Sequence, residues 1–208
     1  MRSNYVLKGY PNAQSFFLAL FLEHEIFDIA PIARRYAGIT EMSSALSMAR
    51  SDYTIVEYEP SHYVNISMLE QLGITRERIQ AYCDAVCGFV QDEYFTVYSL
   101  RKMGFQNDME NAAPYGDWFL ASLLRADKRL NYQRTGDYAI FRKGTGKVSR
   151  KQFIVDIIHR EESLYMRDLI SLLEDDYGVK IDRWDIEAAI EETDIVFEHA
   201  MGIITVTW

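Results

Sequence analysis

Apolar residues spaced three and four apart recur along this chain, and each set of helical stripes gives way to short stretches where apolar and polar residues alternate. The pattern is clearest at the end. Between residues 149 and 160, Phe153, Ile154, Ile157 and Ile158 form one stripe, and Leu164 and Tyr165 then offer a short extended segment. Met166, Leu169, Ile170, Leu172 and Leu173 make a second helical stripe over 166–177, stopped before Gly178. Asp182 is placed to cap a third helix carrying Trp184, Ile186, Ala189 and Ile190. Residues 195–197 and 203–208 read as two strands joined through 199–202. Phe153, Ile157, Leu169, Leu173, Ile186, Ile190 and Phe197 are the expected core of this segment.

The same order precedes it twice. In the middle, a helix over 77–90 carries Cys83, Val86, Cys87 and Val90, followed by an extended stretch at 94–96 and a short helix near 97–103. After an interruption at 104–116, Asp117 is expected to cap a helix holding Trp118, Phe119, Leu120, Leu123 and Leu124. Strands at 130–133 and 138–141 flank a turn at 134–137. In the first copy the helices carry Phe16, Phe17, Leu20 and Phe21, then Ile29, Ile32 and Ala33, then Met42, Ala45, Leu46 and Ala49. A hairpin at 53–58 and 63–66 turns through 59–62.

These elements predict a mainly α protein with small β-hairpins, an α+β chain of three tandem modules: 1–72, 73–146 with an inserted loop, and 147–208. Helix, short strand, helix, helix and two-stranded wing is an order that resembles the winged-helix (winged helix-turn-helix) family over about 190 residues, through element order rather than a specific motif. That resemblance implies a binding scaffold. Many of its members present the third helix to the major groove of duplex DNA and the wing to its backbone.

Charge resists a direct transfer of that role. The three segments carry five basic and eight acidic residues, ten and nine, and seven and fourteen, within a chain of net charge -9. Phosphate repels an acidic surface and attracts lysine and arginine. The last third helix is acidic, so Glu174, Asp175, Asp176, Asp185, Glu187, Glu191 and Glu192 read as solvated surface or as a docking face for a basic partner. The exception is 125–151, where Arg125, Lys128, Arg129, Arg134, Arg142, Lys143, Lys147, Arg150 and Lys151 face only Asp127 and Asp137. Arg125, Lys128 and Arg129 are expected at the end of the third helix and Arg134 in the hairpin turn, with Tyr132 and Tyr138 nearby as stacking surface. This set suits a phosphate backbone. It equally suits pairing with the acidic last module or seating on helix C-termini.

No nucleophile elbow is present, and the clustered carboxylates lie in polar stretches, so no catalytic residue, cofactor or small-molecule substrate is assigned. Gly144-Thr-Gly-Lys147 lacks the spacing of a phosphate loop and reads as a connector. Cys83 and Cys87 lie on one helical face as free thiols, and the histidines occur singly, without metal-ligand spacing. The first residues lead into Tyr5-Val-Leu, and the apolar run 16–22 is shorter than a membrane span, so a cytoplasmic location is expected. The reading is an intracellular regulatory interaction protein with a protein partner favoured and duplex DNA as the alternative.

Overall fold

In each repeat the short strand after the first helix pairs with the last strand of the hairpin, so the expected wing becomes a three-stranded antiparallel sheet. The computed structural model describes residues 9–91, 93–112, 114–144 and 146–207. Residues 1–8, Thr145 of the connector and Trp208 at the end of the last expected strand lie outside the described residues. The first repeat comprises α1 (Ala13–Phe21), β1 (Ile26–Asp28), α2 (Ile29–Arg35), α3 (Thr40–Ser51), β2 (Ile55–Glu59) and β3 (His62–Asn65), followed by α4 (Ile66–Gln71). The middle one has α5 (Arg76–Phe89), β4 (Tyr94–Phe95), α6 (Val97–Lys102), α7 (Met109–Ala112), α8 (Asp117–Ala126), β5 (Leu130–Thr135) and β6 (Tyr138–Lys143). The last has α9 (Arg150–Glu161), β7 (Ser163–Tyr165), α10 (Met166–Tyr177), α11 (Arg183–Ile190), β8 (Ile195–Glu198) and β9 (Ile203–Val206). Strand orders β1-β3-β2, β4-β6-β5 and β7-β9-β8 repeat one topology three times.

Local chemistry sets the helix ends. Asn12, Asp28, Ser149 and Asp182 each accept from an amide of the first turn they precede, satisfying donors that helix geometry leaves open. Gly178 ends α10 in the left-handed region at φ 66°, and a Cβ there would lie 2.8 Å from Cγ of Tyr98. The same turn is held by Thr96, whose hydroxyl donates to the Tyr177 carbonyl at 2.6 Å.

Two units form by packing: one runs to Ala85 and includes Asn107–Asp127, and the other comprises Val86–Gln106 and the chain from Lys128. The middle repeat therefore contributes α7 and α8 to the first unit, β4, α6, β5 and β6 to the second, and parts of α5 to each. Phe17, Phe21, Phe27, Ala45, Ala49, Ile55 and Tyr63 form a buried cluster in the first unit. In the second, Tyr94 and Ile140 of the middle sheet share one core with Phe153, Ile157, Leu169, Leu173, Ile186 and Ile190. Phe197 is only partly buried against that core.

Four details correct the sequence reading. Gly116 occupies the N-cap of α8, with no side-chain cap bond, and Asp117 is its first helical residue. Arg134 lies within β5, because the turn has contracted to Gly136-Asp137. Lys128 and Arg129 fall beyond the end of α8. Trp184 belongs to no buried stripe: it is 76% exposed.

Ile186, fully buried at 0% exposure, should lose about 2–5 kcal/mol of stability on truncation to alanine. Urea unfolding of the full chain measures this, and a loss below about 1 kcal/mol would contradict the packing of α11 in the core.

Candidate interaction surface

Strand register decides where the basic side chains of the second unit go. Tyr94, Arg142 and Asn131 stand in one row across β4, β6 and β5, whereas Phe95, Phe141 and Tyr132 stand in the adjacent row and point to the other face. The first face lies on α9: the Tyr94 and Phe153 rings meet edge to face at 5.3 Å, and Arg142 approaches Asp156 at 3.9 Å while its guanidinium sits 5.1 Å over the Tyr94 ring. Burial first, and the Asp156 carboxylate after it, hold the Tyr94 phenol above its usual pKa, against the opposing pull of Arg142. Tyr138, on the same face, is likewise raised by burial, lowered by Arg150 and raised by Asp185.

Arg150, Lys143 and Lys151 are held by partners within the protein, the two lysines while still exposed. Arg150 grips Asp185 with two bonds, from Nη1 at 3.0 Å and from Nη2 at 2.5 Å, the bidentate geometry that carboxylate and guanidinium favour. Lys143 donates to the carbonyl of Cys87 at 2.8 Å, in the last turn of α5, and Lys151 donates to the carbonyl of Glu191 at 2.8 Å, just past α11. Both ammonium groups thus meet the negative end of a helix. Lys128, Arg129, Arg134 and Lys147 are exposed.

Arg125 takes a different place, and its expected position on a binding surface is corrected. It is buried in the first unit, where Nη2 reaches Glu57 Oε2 at 2.7 Å with both side chains 2% exposed. The other Glu57 oxygen accepts from the Ser61 amide at 3.0 Å, and the guanidinium lies 4.9 Å over the Trp118 ring. The helix that carries Arg125 is buried over Phe119, Leu120, Ala121, Ser122, Leu123 and Leu124 as well. Glu57 was overlooked in the sequence. Its signal was phase: in β2 it stands two residues from Ile55, on the face that Ile55 buries.

On the acidic side, Asp185 is engaged by Arg150, Glu187 by Arg183 and Glu174 by Lys180 at 3.8 Å. Asp175, Asp176, Glu191 and Glu192 are exposed. Arg183 also joins α11 to the β8–β9 turn, donating from Nη2 to His199 Nδ1 at 2.9 Å and lying 5.0 Å over the Phe197 ring. Trp184, next after Arg183, and Met201, two residues past His199, are 76% and 57% exposed.

Among the described residues, no group of three or more His, Cys, Asp and Glu side chains is placed to hold a metal ion, and Cys83 and Cys87 are buried free thiols. No helix of the described residues is long and apolar enough to cross a membrane.

Replacing Arg125 by alanine strands the buried Glu57 carboxylate and should cost about 3–5 kcal/mol, whereas R125M/E57L, which removes both charges, should cost clearly less. Chemical unfolding of wild type and both variants separates the two cases, and a double variant less stable than R125A would contradict the assignment. Comparison of the chain with protein-family models, with curated proteins and with solved structures finds no match.

Proposed function

We propose that this chain is a non-catalytic, intracellular interaction protein built of winged-helix-like modules, and that its partner is a protein rather than duplex DNA. Three repeats of helix, short strand, helix, helix and hairpin, each with the strand order first, third, second, support the modular part of the reading. Two buried free thiols suit a reducing compartment.

One observation carries the choice of partner: at least five of the nine cations between residues 125 and 151 are held by partners within the protein. Arg125 is sealed against Glu57, Arg142 and Arg150 face Asp156 and Asp185, and Lys143 and Lys151 sit on main-chain carbonyls. A phosphate backbone binds through cations that trade counterions for phosphates, and a cation already committed to a carboxylate releases none. The third helices argue the same way. That of the middle repeat is buried, and that of the last carries Asp185, Glu187 and an exposed Trp184 in place of a basic face.

The exposed cations Lys128, Arg129, Arg134 and Lys147, with the 39% exposed Tyr132 ring among them, favour the second reading, contact with nucleic acid. A gel-shift titration with duplex DNA of mixed sequence distinguishes the two. The protein-binding reading expects no retarded complex at low or physiological salt. A complex at low salt that weakens with a log-log slope of about 0.9 per phosphate, and disappears when Lys128, Arg129 and Arg134 are jointly changed to glutamate, would overturn it.

A further inference from the structure

Large apolar side chains on a protein surface mark contact sites when several lie together, and tryptophan is the side chain that anchors such contacts most often. Trp184 and Met201 are the most exposed of the large apolar residues described, at 76% and 57%. Arg183, which precedes Trp184, bonds His199, two residues before Met201, and so ties the start of α11 to the β8–β9 turn. Helical spacing places Glu187, Ala188 and Glu191 on the Trp184 face of α11, with Ala188 and Glu191 exposed.

The surroundings decide what this face accepts. From residue 174 to residue 198 the chain carries ten carboxylates and two bases, Lys180 and Arg183, and Arg150 and Lys151 reach this region from α9. Lys180, Arg183 and Arg150 are already turned on Glu174, Glu187 and Asp185, and Lys151 on the Glu191 carbonyl, so four bases stand against ten carboxylates. An acidic field around an exposed indole repels acidic partners and nucleic acid and attracts a cation, which the indole face can also bind directly. A partner that answers both features is a polypeptide segment rich in lysine and arginine, its cationic heads among Glu191, Glu192 and the indole and its aliphatic stems on Trp184 and Met201.

We infer that the Trp184–Met201 end of the last repeat is a docking site for a lysine- and arginine-rich polypeptide segment. The inference rests on the protein-binding reading above and gives that partner its chemistry.

The full chain is titrated with a fluorescent ten-residue peptide of alternating lysine and arginine, and with an acidic peptide of equal length, by anisotropy. The basic peptide should bind, more weakly as salt is raised, and the acidic one should not. W184A should lower affinity about tenfold, the loss expected of a hot-spot aromatic, with W184F retaining most of it and E191Q/E192Q losing a few-fold. Trp184 supports no core, so the circular dichroism and unfolding midpoint of W184A should match wild type, and M48A, at an exposed methionine of the first unit, should bind as wild type does. Equal affinity in wild type and W184A would reduce the binding to nonspecific attraction by net charge and overturn the proposal. Absence of peptide binding also overturns it. If duplex DNA is not retarded either, the broader protein-binding reading survives, whereas a DNA complex would take that reading down as well.

Discussion

Positive charge concentrated in a short stretch of an acidic chain has to be neutralised somewhere, and folding offers carboxylates, helix C-termini or an external anion as the means. Between Arg125 and Lys151, at least five cations use the first two. Arg150 closes on Asp185 with two bonds, and Lys143 and Lys151 sit where α5 and α11 leave carbonyls unsatisfied. In the second unit Lys143 ties β6 to α5, and Arg150 and Lys151 tie the start of α9 to α11, next to a core that the middle sheet and the last repeat share through Tyr94, Ile140 and Phe153. Arg125 shows the extreme form of the same constraint. Withdrawn from water, its guanidinium meets the Glu57 carboxylate, and Glu57 in turn accepts from the Ser61 amide.

This compensation gives the three similar repeats different surfaces. The third helix of the first repeat, α3, buries only Ala45 and Ala49 and keeps a polar exposed side of Thr40, Ser43, Ser44, Ser47 and Ser51. That of the middle repeat is covered along most of its length, with Arg125 sealed inside. That of the last repeat has its inner face fixed by Ile186, Ala189 and Ile190 and leaves Trp184 to solvent. A scaffold used three times therefore need not bind three times. Where the third helix is packed away its role is structural, and where it stays open its side chains determine what can approach.

Much of the fold was legible because the helical stripes are strong: α10 spans the residues that its leucines and Gly178 mark, and Asp182 caps α11 as its position suggests. The first-repeat strand β1 was not legible, since three residues, Ile26, Phe27 and Asp28, show no alternation long enough to stand out and gain their strand identity from pairing with β3. The candidate surface was legible only as charge. Sequence shows that the segment from 125 to 151 is basic and the region from 174 to 192 acidic, but the face on which Arg142 lies follows from its row with Tyr94, a long-range pairing that composition does not encode. Trp184 stands two residues before Ile186 and so lies nearly opposite the stripe of Ile186, Ala189 and Ile190, and the phase of α11 sets it outside the buried face.

The central claim is that Arg142, Lys143, Arg150 and Lys151 of the second unit are held by partners within it, and a double-mutant cycle on Arg150 and Asp185 tests it most directly. Both side chains are about a third exposed, so solvent screens the pair and the expected coupling is modest, about 1 kcal/mol for a bidentate contact. Unfolding free energies of wild type, R150M, D185N and the double variant give that coupling, and it should shrink as salt is raised. Stabilities that add to within about 0.3 kcal/mol at low salt would mean that Arg150 and Asp185 do not hold each other, leaving the Arg150 charge available to an outside anion and contradicting the account.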